Sequence, residues 1–136
     1  FHKRGIRYLY LFNDKTRMER FKMLKMICYE KCTTCKKAQK KLNDLGISYE
    51  MMDVKKQAPN KDLLLSLLKR TDTPSKMFNT SGKVYRERGL SKIVKSLSIE
   101  EIADILATDG MLVKRPILFD ENILIIGYKE AEYEAL

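Results

Sequence analysis

The sequence predicts an α/β fold in which a βαβ unit, a helical middle and a ββα unit follow one another. Three observations predict this order. Two short apolar runs flank a helical pattern near residue 40, and the connection between them has the length that parallel strands need. Helix-start signals then recur over residues 60–100. Near the end of the chain, two apolar runs enclose the polar residues 120–122, which is typical of a hairpin with a three-residue loop.

The βαβ unit is predicted over residues 23–54. Met23 to Tyr29 is a short apolar run with one lysine, which favours a buried strand. Thr33 to Leu45 has apolar residues at helical spacing and is followed by Gly46, a residue type that commonly ends helices. Ser48 to Val54 predicts the second strand. Four lysines of the helix are expected to face solvent: Lys36, Lys37, Lys40 and Lys41.

The rest of the chain supplies a helical insertion and the closing ββα unit. Ser98 and Glu101 form a capping-box pattern, which predicts a helix from there to about Ala107. The other elements are predicted as helices over Lys61 to Lys69 and Lys83 to Arg88, strands over Pro116 to Phe119 and Ile123 to Ile126, and a short helix over Tyr128 to Leu136. The helical middle therefore lies between the second and third strands.

Length and composition fit one domain with a core of its own. The chain has 136 residues, of which 44% are hydrophobic and 33% charged. Its apolar runs are too short for a membrane span, so no membrane partner is expected. Three cysteines, an odd number, do not fit a disulfide-stapled secreted domain, and a cytoplasmic location is expected.

The net charge of +9 is unevenly distributed. Residues 1–22 hold seven Lys or Arg and two acidic residues, so they carry +5, whereas residues 23–136 carry the remaining +4. We expect the first segment to be an N-terminal appendage and the second to be the functional domain. An additional strand over Ile6 to Phe12 is the alternative. Because the domain is only mildly basic, direct binding to nucleic acid is not expected.

The motif Cys32-Thr-Thr-Cys35 is the main candidate for chemistry. A structural zinc site needs four ligands, usually from two paired clusters. The other candidates are Cys28, in the first predicted strand, and His2, so no metal site is predicted. Two interpretations remain: the motif is a redox couple, or it is a pair of unreactive thiols at a helix start.

The redox interpretation has a physical basis. Cys32 would begin the helix, where free backbone N–H groups favour an anion. Three neighbouring lysines, Lys31, Lys36 and Lys37, add positive charge, and the thiolate is the nucleophilic form of cysteine. Cys35, one turn later, is placed to attack a mixed disulfide or a sulfenate on Cys32 and so resolve it. A CxxC motif that opens a helix after a strand is typical of thioredoxin-like folds.

Arg115 and Pro116 form a second candidate segment of the site. In thioredoxin-like folds a cis-proline precedes the third strand and faces the cysteine loop, and Pro116 stands at that place. Arg115 beside it is a candidate to stabilise the thiolate or a bound oxyanion, since its planar fork suits such an anion; a surface arginine is the alternative. Cys28, within an apolar run, is interpreted as a small buried hydrophobic residue.

An ordered set of motifs carries a resemblance to a known family. The motifs are Cys32-Thr-Thr-Cys35, Phe78-Asn-Thr-Ser-Gly82, Tyr85-Arg-Glu87, Asp109-Gly-Met-Leu112 and Lys114-Arg-Pro-Ile117. With these, residues 23–136 resemble the arsenate reductase / Spx family of thioredoxin-fold proteins, and in particular its arsenate-reductase-like branch. The resemblance implies a thioredoxin-like core with a helical insertion between the second and third strands.

The resemblance also implies a site and its partners. Cys32 would attack the substrate, Cys35 would resolve the adduct, and Arg115 would bind the oxyanion. The substrate-binding candidates are Thr33, Thr34, Asn79 and Pro116. The substrate would be a small oxyanion such as arsenate, or a protein disulfide. No bound cofactor is expected, and glutathione or a thioredoxin or glutaredoxin partner would donate the electrons.

Two features bear on the choice of function. Further family arginines fall near Asn79 and Gly127, where this sequence has none, and Arg86 or Arg88 of the neighbouring segment is a candidate to compensate for the missing charge. Spx regulators also carry CxxC and Arg-Pro-Ile motifs; they bind the C-terminal domain of the RNA polymerase α subunit and use the cysteines as a redox switch. This regulator role is the alternative function, although the loop of residues 70–74 lacks the glycine of their polymerase contact.

Overall fold

The computed structural model describes residues 24–136, and both the appendage and the strand predicted over Ile6 to Phe12 lie outside the described residues. A four-stranded sheet organises the domain. Its strands are β1 (Lys25–Cys28), β2 (Glu50–Asp53), β3 (Ile117–Phe119) and β4 (Leu124–Ile126). They lie in the order β2-β1-β3-β4, with β1 and β2 parallel and the other two neighbouring pairs antiparallel.

The α-helices within residues 24–136 follow the predicted order. They are α1 (Thr33–Asp44), α2 (Lys61–Leu68), α3 (Lys83–Glu87), α4 (Ile99–Thr108) and α5 (Glu130–Glu134). Short 3₁₀ helices lie at Pro74–Met77, Leu90–Lys92, Val94–Ser96 and Gly110–Leu112. The predicted thioredoxin-like α/β architecture with a helical insertion is thus confirmed. The strands are shorter than predicted, and the loop between β3 and β4 has four residues rather than three. None of the described helices has the length and apolar character to cross a membrane.

Alternation along the strands divides the core between the two faces of the sheet. In β1, Met26 and Cys28 pack on one face with α1 and α5, whereas Ile27 packs on the other. The second face carries the insertion, where α2 and α4 bury leucine and isoleucine side chains. The consequence for the site is that Cys28 and the buried side of α1 belong to the same layer.

The insertion helices begin at the capping residues of the sequence. Ser98 and Glu101 form the predicted capping box: the Glu101 N–H donates to Ser98 Oγ at 3.1 Å, and the Ser98 N–H donates to Glu101 Oε1 at 2.8 Å. Asn60 Oδ1 caps α2 by accepting from the Leu63 N–H at 2.8 Å. These bonds satisfy backbone donors that the first helical turn leaves without intrahelical partners.

One lysine that was expected to face solvent instead joins two helices. The Lys41 side chain is only 22% exposed, and its Nζ lies 3.1 Å from Glu134 Oε2 and 3.5 Å from Glu130 Oε1 of α5. The hydrogen bond from Lys41 to Glu134 is the main cause that raises the pKa of this lysine. The sequence did not predict this contact of Lys41, because the position of α5 is a tertiary feature that the pattern of α1 does not contain.

Gly110 packs closely against Val54, the residue that follows β2. A Cβ at position 110 would lie 2.8 Å from the Val54 Cβ and closer still to the Val54 carbonyl oxygen. We therefore expect Gly110→Ala to lower the free energy of unfolding by about 1–3 kcal/mol, the usual effect of overpacking, in urea denaturation. Ser66→Ala, at an exposed position of α2, is the control and should change it by less than about 0.5 kcal/mol. A Gly110→Ala protein as stable as its parent would contradict this close packing.

Candidate active site

The loop between β1 and α1 places Cys32 immediately before the helix. Cys32 is the N-cap of α1, with φ −83° and ψ 119°, and its carbonyl oxygen accepts a hydrogen bond from the Lys36 N–H at 3.1 Å. Its own N–H donates to the Tyr29 carbonyl oxygen at 2.9 Å, which closes the loop. The residue is partly exposed, so its thiol stays accessible at the N-terminus of a 12-residue helix.

Cys35 lies one helical turn after Cys32 and is fully buried, with 0% exposure. It belongs to the same buried cluster as Cys28, and Cys32 packs against that cluster. The hydrogen bond with Cys28, followed by burial, raises the pKa of Cys35 far above its usual value. All three cysteines are free thiols. The motif thus combines an accessible sulfur with a buried neighbour, which suits attack by the first and resolution by the second.

Cys28 lies at the end of β1 and is buried, as predicted. Its contact with the motif was not expected from the sequence: it packs in one buried cluster with Cys35, and Gln39 Nε2 donates to its sulfur at 3.9 Å. A hydrogen bond from the Cys35 side chain lowers the pKa of the Cys28 thiol, whereas burial of Cys28 opposes this effect. Strand alternation, which directs Cys28 to the α1 side of the sheet, is the signal that could have revealed the contact. Within residues 24–136, no group of three or more His, Cys, Asp or Glu side chains is arranged to hold a metal ion.

The peptide bond between Arg115 and Pro116 is cis, as predicted, and directly precedes β3. The Arg115 guanidinium carbon lies 5.5 Å from the centre of the Tyr29 ring, within cation–π range. Its Nη1 donates to the carbonyl oxygens of Met111 and Val113, each at 3.4 Å. Its Nε is buried and has no hydrogen-bond partner in the described part of the chain. The guanidinium is thus oriented by long contacts and keeps donor capacity for an anion.

A groove of about 890 Å³ lies beside the N-terminus of α1. Four of the predicted site residues line it: Cys32, Thr34, Asn79 and Arg115. The other three predicted residues do not line the groove. Thr33 is exposed to solvent outside it, whereas Cys35 and Pro116 are buried. The structure therefore brings the candidate nucleophile and the candidate anion-binding arginine to one surface, with Cys35 reaching Cys32 from the core.

The groove is lined by positive charge. Five cationic side chains contribute to it, and no aspartate or glutamate of residues 24–136 does. The five are Arg70, Lys76, Lys114, Arg115 and Lys129. Cations clustered in a concave surface raise the local concentration of anions, so this lining suits an oxyanion or a negatively charged thiol compound.

Arg86 and Arg88, the candidates to compensate for the missing family arginines, do not line the groove. Arg86 donates to the Ser81 carbonyl oxygen and Arg88 donates to Thr108 Oγ1 at 2.8 Å. The lining of the groove therefore gives no support to the hypothesis that they complete the site.

Of the five cations that do line the groove, Arg115 was predicted and Lys114 lies in the same motif. Arg70, Lys76 and Lys129 were missed because they reach the groove from separate segments.

The backbone conformation at Gly127 disfavours an arginine at this position. Its φ of 82° lies in the left-handed region that favours glycine. Its N–H donates to the Pro116 carbonyl oxygen at 2.7 Å, which ties this turn to the cis-proline. A Cβ at position 127 would lie 3.4 Å from Lys114 Cε. An arginine here would be strained, and the aliphatic chain of Lys114 already occupies the adjacent space.

Comparisons with known proteins agree with this geometry. Residues 28–136 match the model of the ArsC family. The "Uncharacterized protein YusI" of Bacillus subtilis (strain 168) is 38% identical over 107 residues, which span 78% of this chain and 91% of that protein. The "Global transcriptional regulator Spx" of Streptococcus pyogenes serotype M3 (strain ATCC BAA-595 / MGAS315) is 28% identical over 114 residues, which span 83% of this chain and 84% of the regulator.

Solved structures extend the similarity to the fold. The crystal structure of "a possible arsenate reductase" from Streptococcus mutans UA159 has a TM-score of 0.73 and 42% identity, covering 79% of this chain and 92% of that one. An ArsC-family-related protein from Bacteroides fragilis has a TM-score of 0.78 and 35% identity, covering 84% of this chain and 97% of that one. The resemblance expected from the ordered motifs is confirmed, and the chain belongs to the ArsC family.

Proposed function

We propose that the domain is a thiol-dependent reductase or thiol–disulfide oxidoreductase in which Cys32 attacks the substrate and Cys35 resolves the adduct. The observation that carries the proposal is an accessible cysteine at a helix N-terminus, packed against a cluster that contains a second, buried cysteine one turn later. The cationic groove beside Cys32 supports an anionic substrate, because it would draw such a molecule toward the accessible sulfur.

The reaction transfers two electrons from the protein to the substrate. With a disulfide, the Cys32 thiolate attacks one sulfur, forms a mixed disulfide and releases the other sulfur as a thiol. Cys35 then loses its proton and attacks the Cys32 sulfur, which forms the Cys32–Cys35 disulfide and releases the second thiol. With arsenate, the first step would form a bond from Cys32 to arsenic(V) with loss of water, and the second would release arsenic(III) as arsenite.

An external thiol closes the cycle by reducing the Cys32–Cys35 disulfide. Glutathione, or a thioredoxin or glutaredoxin partner, fits this role without a bound cofactor. Arg115 would bind the anionic part of the substrate or the departing thiolate, and Thr34 and Asn79 offer neutral hydrogen-bonding groups in the same groove. This chemistry is suited to a reducing cytoplasm.

A turnover assay tests the proposal. The protein is supplied either with thioredoxin, its reductase and NADPH, or with glutathione, its reductase and NADPH. NADPH consumption is followed with arsenate or hydroxyethyl disulfide as substrate in both systems, and with oxidised glutathione in the thioredoxin system alone, and reactions without the protein give the background. We expect consumption above background with at least one substrate. Background rates with every substrate and both donors would contradict the reductase.

The charge of the groove predicts salt-sensitive reactivity toward anions. Raising the ionic strength from about 0.05 to 0.5 M shortens the screening length severalfold. The rate at which prereduced protein reacts with oxidised glutathione should therefore fall by about three- to tenfold. Neutral hydroxyethyl disulfide is the control substrate and should change little. An equal salt dependence for both substrates would show that the groove cations do not guide the reaction.

A second candidate is a redox-sensing regulator of the Spx type that binds the C-terminal domain of the RNA polymerase α subunit. The similarity to Spx over 83% of the chain favours it. In that role the oxidation state of Cys32 and Cys35 would set binding rather than drive turnover. A pull-down with the α C-terminal domain, run with reduced and with oxidised protein, tests it. Binding that depends on the redox state supports the regulator, and no binding in either state excludes it.

A further inference from the structure

Cys28 is a third thiol, and it packs in the same buried cluster as Cys35, the buried cysteine of the motif. Cys32 packs against this cluster, and both Cys28 and Cys32 influence the pKa of Cys35. Cys28 and Cys35 are each 0% exposed, whereas Cys32 lines the groove. Gln39 of α1 donates to the Cys28 sulfur, with its Nε2 at 3.9 Å. The three sulfurs therefore form a path from the groove into the core, with Cys35 in the middle.

We propose that Cys28 is a third redox thiol, to which the Cys32–Cys35 disulfide is passed so that it becomes a Cys28–Cys35 disulfide. The inference rests on the proposed function, because Cys32 and Cys35 must be oxidised first. It replaces the interpretation of Cys28 as an inert buried residue.

The step is an internal thiol–disulfide exchange. The Cys28 sulfur attacks the Cys35 sulfur, the Cys28–Cys35 bond forms and the Cys32–Cys35 bond breaks. Cys28 gives up its proton and the Cys32 sulfur gains one through solvent in the groove, so the net change is an isomerisation without an oxidant or reductant. The Gln39 amide favours the step, because a hydrogen bond donated to Cys28 stabilises its thiolate, the attacking form.

The exchange would change what the groove presents to a substrate. A Cys32–Cys35 disulfide blocks the accessible sulfur, whereas a Cys28–Cys35 disulfide leaves Cys32 as a free thiol. The oxidised bond would then lie in the core, where an external thiol reduces it only after the reverse exchange. The protein could thus stay oxidised while its surface cysteine remained reactive.

Tryptic mapping distinguishes the two disulfides, because Lys31 lies between Cys28 and Cys32. Cleavage puts Cys28 in the peptide of residues 26–31, and Cys32 and Cys35 together in the peptide of residues 32–36. The full chain is oxidised with diamide, blocked with a maleimide in acid, digested and analysed by mass spectrometry. The proposal predicts a crosslink between the two peptides, with the maleimide on Cys32.

The other outcomes separate this inference from the proposed function. A disulfide confined to the peptide of residues 32–36, with the maleimide on Cys28, would overturn the inward transfer and leave the proposed function intact. The absence of both disulfides would overturn both proposals.

Cys32→Ser tests whether oxidation enters through the surface cysteine. In this variant the Cys28–Cys35 crosslink should form at least about tenfold more slowly, because both remaining sulfurs are buried and exchange depends on access. An unchanged rate would overturn the inward path. Cys28→Ser is the matched variant: it should confine the disulfide to the peptide of residues 32–36 and abolish maleimide labelling of Cys32 in the native oxidised protein. Labelling that persists would also overturn the inference.

Discussion

Replacing Cys32 with serine is expected to reduce turnover of every substrate to the rate measured without protein, a loss of at least about a thousandfold in kcat/KM. A serine hydroxyl is not ionised near neutral pH and is a poor nucleophile toward sulfur or arsenic. The fold should not suffer, because Cys32 makes no side-chain cap bond at the start of α1 and serine is a favoured N-cap residue. Initial rates and thermal unfolding, measured on the same preparation, check both statements.

Lys40→Ser is the control for this loss. Lys40 lies on the exposed side of α1, where its Nζ pairs with Asp44 at 2.8 Å, and it does not line the groove. A surface pair of this kind contributes little to stability, so both turnover and unfolding should stay close to the parent values. Turnover that survives in Cys32→Ser would contradict the assignment of the nucleophile.

Replacing Arg115 with methionine is expected to lower kcat/KM for anionic substrates by about ten- to a hundredfold. Hydrogen bonds to charged groups contribute about 1.5–3 kcal/mol, and 1.36 kcal/mol corresponds to a tenfold change in rate. Methionine keeps an unbranched side chain against Tyr29 but removes the charge and the donors. Rates with oxidised glutathione and with neutral hydroxyethyl disulfide should diverge, since only the first substrate loses its ionic partner.

Arg115→Lys shows which property of the side chain matters. Lysine keeps the charge but lacks the planar fork, so it should recover part of the loss for the anionic substrate. A merely structural role would behave differently: Arg115→Met would then slow both substrates equally and lower the unfolding temperature. Equal losses with the two substrates would contradict a role in anion binding.

The fold follows from local signals that are strong in this sequence. The capping box of Ser98 and Glu101 and the short apolar strands each determine a boundary or a face without help from distant residues. The cis bond before Pro116 was expected from the fold rather than from the residue itself. These features also place Cys32 at a helix N-terminus, so the centre of the candidate site could be predicted.

The surroundings of the site could not be predicted in the same way. Arg70 lines the groove while its guanidinium holds the β3–β4 loop through the carbonyl oxygens of Asp120 and Ile123, at 2.9 and 3.0 Å. That arrangement joins positions 50 or more residues apart in the chain. The contact between Cys28 and Cys35 likewise depends on how β1 packs against α1. Single-sequence patterns describe elements, whereas these contacts depend on how the elements pack.

Trapping the first intermediate tests the central claim most directly. Cys35→Ser removes the resolving sulfur, so reaction of the reduced variant with oxidised glutathione should stop at a mixed disulfide. Intact mass spectrometry and tryptic mapping should find one glutathione per chain, attached to Cys32 in the peptide of residues 32–36. The parent protein should end without an adduct. A variant that carries no glutathione, or that carries it on Cys28, would contradict the division of roles between Cys32 and Cys35.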